Sequence, residues 1–206
     1  MFIPLVDILR CVNPHEETWL VASIDRADDR FIIEGTLGCP ACLAEYPIRD
    51  GVVYFTETQV QTRAADPDES AAMRLAAALD LTEPRKTALL QGVWGAQAQL
   101  VRGFSPSQLI LLNPPPGTVS GDGVSVIVSE RVPLAQQSVD AIAVDDSFVH
   151  LDRFPALKRG GRLLAAVSTP MPHGFNELAR DDEIWVARVD DREIVSAPIL
   201  PTRRAR

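Results

Sequence analysis

The chain has 206 residues, 46% of them hydrophobic, and a formal net charge of -8, which is enough apolar material for one medium domain or two small ones. The acidic balance argues against direct nucleic-acid binding, because phosphates demand a basic surface; only Arg203-Arg204-Ala205-Arg206 is locally basic, and it reads as a solvated end. No apolar run approaches the roughly 20 residues of a membrane span, and the apolar start from Met1 to Val6 lacks a basic n-region and meets Asp7 before any cleavage site, so a cytoplasmic location is expected.

Every cysteine lies in the first quarter: Cys11, Cys39 and Cys42. Two residues separate Cys39 from Cys42, a spacing that lets a tight turn aim both sulfurs at one ion, and Cys11 with His15 completes a tetrahedral set. Zinc is the expected ion, and reduced thiols fit a cytoplasmic metal site better than disulfides. The residues alone also allow small buried hydrophobes with a solvated His15. A redox pair is a weaker reading, since it needs its first thiol at a helix N-terminus. Here Glu45-Tyr46-Pro47 follows and does not start a helix.

The order Asp7-Ile8-Leu9-Arg10-Cys11, then Gly35-Thr36-Leu37-Gly38-Cys39-Pro40-Ala41-Cys42, then Tyr46-Pro47-Ile48-Arg49-Asp50-Gly51-Val52 resembles the small zinc-ribbon proteins that activate tRNA and protein methyltransferases. The resemblance covers residues 1–57. The family's first knuckle usually holds two cysteines; this chain has Cys11-Val12-Asn13-Pro14-His15, so His15 stands in for the second. The resemblance implies a ribbon whose sheet pairs edge to edge with a methyltransferase, or that docks on its own C-terminal part in cis.

Residues 58–70 are polar and read as a linker. Residues 71–79, Ala-Ala-Met-Arg-Leu-Ala-Ala-Ala-Leu, favour a helix. Beyond them, strands are predicted over 87–92, 108–112, 125–128, 140–144, 162–167 and 183–189, with a helix over 96–102. Short apolar runs between helical or loop segments indicate a largely parallel sheet covered on both faces.

Leu89-Leu90-Gln91-Gly92-Val93-Trp94-Gly95, Val132 to Ile142, and Leu157-Lys158-Arg159-Gly160-Gly161-Arg162-Leu163-Leu164 resemble the glycine-rich loop, the approach to strand four and the strand-five element of class I S-adenosylmethionine-dependent methyltransferases. The coverage is about residues 85–190. That resemblance implies a cofactor cradle at Gly92, Gly95 and Asn113, and these positions depart from its pattern. Trp94 stands where a second glycine is expected, and glycine is needed where backbone must approach a cofactor closely. Asn113 replaces the acid that accepts from both ribose hydroxyls, and an amide offers one acceptor oxygen.

Asp145-Asp146 with His150 is an acid/base candidate at a strand end. Adjacent strand residues point to opposite faces, which favours a helix N-cap and solvated loop. His173 reads as a loop residue, Asp181-Asp182-Glu183 as a solvated acidic turn, and Trp185 as core.

The sequence is therefore read as α/β: an N-terminal zinc-ribbon-like α+β module (1–57), a linker (58–70), a reduced Rossmann-like, class I methyltransferase-type, mostly parallel sheet domain (71–195), and a tail (196–206). The expected function is a non-catalytic binding or scaffolding subunit, a pseudo-methyltransferase that holds zinc and not S-adenosylmethionine, assembling with a protein partner, either a methyltransferase or a larger complex. The competing reading is an active methyltransferase with a divergent cofactor loop, in which Asp140 or Asp145 replaces the missing ribose acid.

Overall fold

The computed structural model describes residues 1–58, 60, 62–146 and 154–190. A 3-10 helix at Ile3–Ile8 leads into an antiparallel meander of β1 (Val21–Asp28), β2 (Phe31–Gly38), β3 (Glu45–Arg49) and β4 (Val52–Tyr54). Then come α1 (Glu69–Leu79), β5 (Thr87–Gln91), a 3-10 turn at Gly92–Gln97 running into α2 (Ala98–Phe104), β6 (Gln108–Leu112), β7 (Val124–Val128), β8 (Val139–Ala143), β9 (Leu157–Ala166), β10 (Phe175–Arg180) and β11 (Ile184–Val189). The predicted tail at 196–206 lies outside the described residues, as does His150. Among the described residues no helix is long and apolar enough to cross a membrane.

These strands form one sheet in the order β1-β2-β3-β4-β7-β6-β5-β8-β9-β11-β10. Its centre, β7-β6-β5-β8-β9, is parallel and reads 3-2-1-4-5 in its own numbering, as in a doubly wound fold. Antiparallel β11 sits between β9 and the edge strand β10. The expected Rossmann-like, mostly parallel sheet is what the chain forms. The meander joins it through a parallel pairing of β4 with β7, Val52 against Val126 and Tyr54 against Val128.

Alternation along the central strands separates two cores. Leu90, Leu109, Leu111, Val126 and Leu164 pack with Leu75 and Leu79 of α1 and Val101 of α2. Leu89, Ile110, Leu112, Ile127 and Leu163 face the other way and share a core with Leu5, Leu9, Tyr46 and Phe55. The N-terminal segment thus covers a face that helices cover in a doubly wound protein. It is pinned there by hydrogen bonds from Arg10 N to the Pro133 carbonyl and from Ala135 N to the Ile8 carbonyl.

Helix α1 starts and stops where its sequence dictates. Asp68 caps it by accepting from Ala71 N at 2.6 Å, and Asp80 ends it in the left-handed region at φ 58°. Two predicted boundaries needed correction, and one strand was missed. The helix expected over 96–102 begins at Ala98, because Gly92 adopts φ +62° and starts a 3-10 turn first. The strand expected from Arg162 starts at Leu157, since Gly160-Gly161 makes a bulge against β8 and not a turn. A Cβ on Gly161 would lie 2.9 Å from the Asp140 carbonyl oxygen. Strand β10 was not predicted: most of it is exposed, so its sequence carries no buried stripe.

Candidate metal centre and the strand-end crevice

The turn after β2 places two thiols together. Cys39 N donates to the Ala44 carbonyl and Leu43 N to the Cys39 carbonyl, both at 2.9 Å, with Leu43 in the left-handed region at φ 60°. A second loop brings the other two groups: the Arg10–Trp19 bridge and the bond from Cys11 N to Thr18 O close residues 11–18 into a knuckle. The four ligand atoms of Cys11, His15, Cys39 and Cys42 lie within 4.8 Å of one another. Cys11 Sγ is 3.6 Å from Cys42 Sγ, and Cys39 Sγ is 3.5 Å from His15 Nε2. Zinc–sulfur and zinc–nitrogen bonds of about 2.3 and 2.05 Å at a tetrahedral angle separate donor atoms by about 3.8 and 3.6 Å. These two edges match that tetrahedron, and with all four donor atoms within 4.8 Å of one another the residues present fit a zinc ion.

Surrounding groups orient the ligands. His15 Nδ1 donates to the Glu16 carbonyl at 2.6 Å, which fixes the neutral tautomer with its Nε2 lone pair toward the thiols. That carbonyl is also the main reason the His15 pKa is raised, ahead of the nearby sulfurs. The Ala44 amide and then the Asn13 side chain lower the Cys42 thiol to about 6, so the thiolate that binds metal is its ordinary form. The Tyr46 hydroxyl lies 3.1 Å from Cys11 Sγ, and burial followed by that sulfur raises the phenol above its usual range. Asn13 and Tyr46 were not singled out in the sequence. Their signal was position: one sits inside the knuckle and the other opens the Tyr46-Pro47-Ile48 segment.

The C-terminal ends of β5, β6 and β8 hold the other predicted positions. A Cβ on Gly92 would lie 1.9 Å from Asp145 Oδ2, which accepts from Val93 N at 2.9 Å. A Cβ on Gly95 would lie 2.6 Å from the Cβ of Pro114. Both glycines therefore admit this chain's own atoms. The Trp94 indole donates to the Val144 carbonyl at 3.1 Å and packs toward the core under α1 and α2. Asn113 is buried; its amide donates to the Ser129 carbonyl at 2.7 Å and its oxygen accepts from Ser129 N at 2.9 Å. Thr62 Oγ1 donates to the Asn113 backbone carbonyl, and Gln97 bonds to the Asp66 carbonyl and Asp68 N. The linker thus crosses the strand ends.

Two acidic candidates are corrected. Asp145 is 6% exposed and seated in the glycine loop, not in a solvated loop, because the 3-10 turn needs an acceptor for its first amide. Asp140 accepts from Thr87 N and Lys158 Nζ at the start of the strands, the end opposite the crevice, and is in no position to replace a ribose acid. Asp146 is exposed, and His173 lies in an exposed turn before β10. Asp181 and Glu183 pair with Arg74 on the surface, and Trp185 is fully buried.

No family model and no curated protein matches the chain. Among solved structures it is similar to the MycE methyltransferase of mycinamycin biosynthesis, in complex with Mg, SAH and mycinamycin VI (13% identity, TM-score 0.45, 61% of this chain and 49% of that one). It is also similar to a methyltransferase from Geobacter sulfurreducens (13% identity, TM-score 0.43, covering 61% and 80%). A third is an S-adenosyl-L-methionine methyl transferase from Silicibacter pomeroyi DSS-3 (16% identity, TM-score 0.42, covering 59% and 93%). The chain spans about half the length of MycE.

Proposed function

We propose that this chain is a non-catalytic binding subunit, in which a zinc-ribbon-like module at 1–57 is built onto a cofactor-free methyltransferase-type domain at 71–195. One observation carries the reading. The side chain at the position where a ribose acid is expected, Asn113, is buried, with one amide N–H and its oxygen engaged by the Ser129 backbone. The remaining N–H and lone pair of a buried amide do not replace the two acceptor oxygens of a carboxylate. The glycines that would admit a cofactor admit Asp145 and Pro114, so the residues present do not fit S-adenosylmethionine and no methyl transfer is derived through it.

Cys11, His15, Cys39 and Cys42 would hold the metal, which supplies a cross-link between the knuckle and the β2–β3 turn. The proposed partner is a protein. Trp19, Val21, Ile24 and Leu43 are large apolar side chains left exposed around the edge strand β1. A cavity of about 440 Å³ lined by Val21, Ala22, Thr36, Cys39 and Leu43 lies beside them.

Calorimetric titration with S-adenosylmethionine, with bound metal quantified on the same sample, tests this. The expected result is about one zinc per chain and no saturable binding up to about 1 mM cofactor. Micromolar binding refutes the cofactor-free reading and favours the active methyltransferase.

A further inference from the structure

We propose that the thiol cluster is also a peroxide-responsive latch, in which a hydroperoxide drives formation of a Cys11–Cys42 disulfide that dismantles the donor set. The disulfide stands on the thiol geometry alone; the accompanying release of metal rests on the zinc reading above.

Three features select this pair. Cys42 is exposed, so an oxidant in solution reaches it, whereas Cys39 is 2% exposed and faces His15 Nε2. Cys11 Sγ stands 3.6 Å from Cys42 Sγ, about 1.6 Å farther than a disulfide bond. Cys11 and Cys42 stand on separate loops, whereas Cys39 and Cys42 share one turn held by two backbone hydrogen bonds.

The chemistry balances with a hydroperoxide as the oxidant. The Cys42 thiolate attacks one peroxide oxygen, the O–O bond breaks, a sulfenic acid forms, and the displaced oxygen leaves as hydroxide or alkoxide and takes up a proton. The Cys11 thiolate then attacks the Cys42 sulfur; the S–S bond forms, the S–O bond breaks, and hydroxide leaves to become water. Two electrons pass from the two sulfurs to the peroxide. Asn13 and Tyr46, each in reach of one of these sulfurs, orient them for the second step. The two remaining donors, Cys39 and His15, are too few for a closed structural site.

The test uses the full chain as purified, treated with hydrogen peroxide. Zinc release is followed with a chromogenic chelator, and disulfides are mapped by mass spectrometry of non-reduced peptides, alongside Cys11→Ser, Cys39→Ser and Cys42→Ser. The expected outcome is a Cys11–Cys42 disulfide forming in step with zinc release, reversed by a dithiol. Cys39→Ser retains the disulfide, whereas Cys11→Ser forms none and leaves the oxidised Cys42 as a sulfenic acid open to trapping. A dominant Cys39–Cys42 disulfide, over-oxidation of Cys42 without any disulfide, or zinc retained as the disulfide forms overturns the latch; the wild-type peptide map decides this even where a variant fails to fold. A chain that carries no zinc yet forms the same disulfide refutes the zinc reading and supports the thiol pairing.

Discussion

Replacing Gly92 with alanine tests whether the glycine loop serves this chain or a cofactor. Gly92 sits at φ +62°, and its added Cβ would lie 1.9 Å from Asp145 Oδ2 and 2.5 Å from Asp145 Cγ. The left-handed backbone costs an L-residue about 1–2 kcal/mol. Making room expels a buried carboxylate and breaks its bond to Val93 N, worth about 1.5–3 kcal/mol for a charged acceptor. The expected loss is therefore about 2.5–5 kcal/mol in urea unfolding, or roughly 5–20 °C in melting temperature for a chain of this size. Asp145→Ala alone is expected to cost about 2 kcal/mol. The double variant should cost about 1–2 kcal/mol less than the sum of the singles, because the collision is gone. A Gly92→Ala cost under about 1 kcal/mol, or strict additivity in the cycle, refutes the reasoning and means the loop has space for something other than Asp145.

Two further variants probe the crevice and the surface. Asn113→Asp restores the acid of the methyltransferase pattern but sets a carboxylate oxygen against the Ser129 carbonyl; unfolding titrations should show a loss of about 1–3 kcal/mol, with no cofactor binding gained by calorimetry. A gain of binding would contradict the proposed function. Asp80→Asn keeps a residue that tolerates φ 58° while removing a charge paired with Lys86 at 2.6 Å and Arg162 at 3.6 Å. The hydrogen bond from Lys86 depresses the Asp80 pKa below its ordinary 3.8, so its stabilisation is present above that value and is lost as pH falls through the depressed one. With solvent screening, the variant should be less stable by about 0.5–1 kcal/mol at neutral pH, and the gap between the two stability curves should close below pH 3.8. A gap unchanged in acid would show that the charge is not its source.

The central strands were legible because their residues have nowhere to go but inside. Gln108–Leu112 reads as an apolar run, and the structure buries four of its five residues. The cysteine spacing pointed to the cluster that Cys11, His15, Cys39 and Cys42 form, while leaving the ion itself open. What the sequence hid depends on distance. Gly92 looks like a cofactor glycine until Asp145, in the loop just past β8, is seen to fill its space. Asn113 looks like a degraded ribose acid until Ser129 is found to complement it on both sides. Strand β10 has a paired backbone but little buried surface, so no hydrophobic period announces it.

The β4–β7 junction changes what the N-terminal module offers a partner. Two strands that would otherwise be sheet edges satisfy one another, with Val53 against Ile127, both fully buried, and Phe55 N donating to the Val128 carbonyl. Ser120 locks the joint by donating to the Gly51 carbonyl and accepting from Val126 N. The edge pairing that the ribbon resemblance implies toward a separate methyltransferase is therefore occupied in cis by β7, and the protein partner proposed above would have to use another surface. The free edge next to the candidate metal centre is β1, whose bulge between Ile24 and Arg26 discourages simple strand addition and leaves its exposed apolar side chains as the feature for a partner to recognise. The metal centre is coupled to the sheet as well. Cys11 meets the Tyr46 hydroxyl, the Tyr46 ring stacks at 4.5 Å on Phe55, and Phe55 is bonded to β7. Loss of a bound ion would then be felt along this path from the knuckle to the centre of the fold, as expected where the N-terminal segment is a structural part of the sheet.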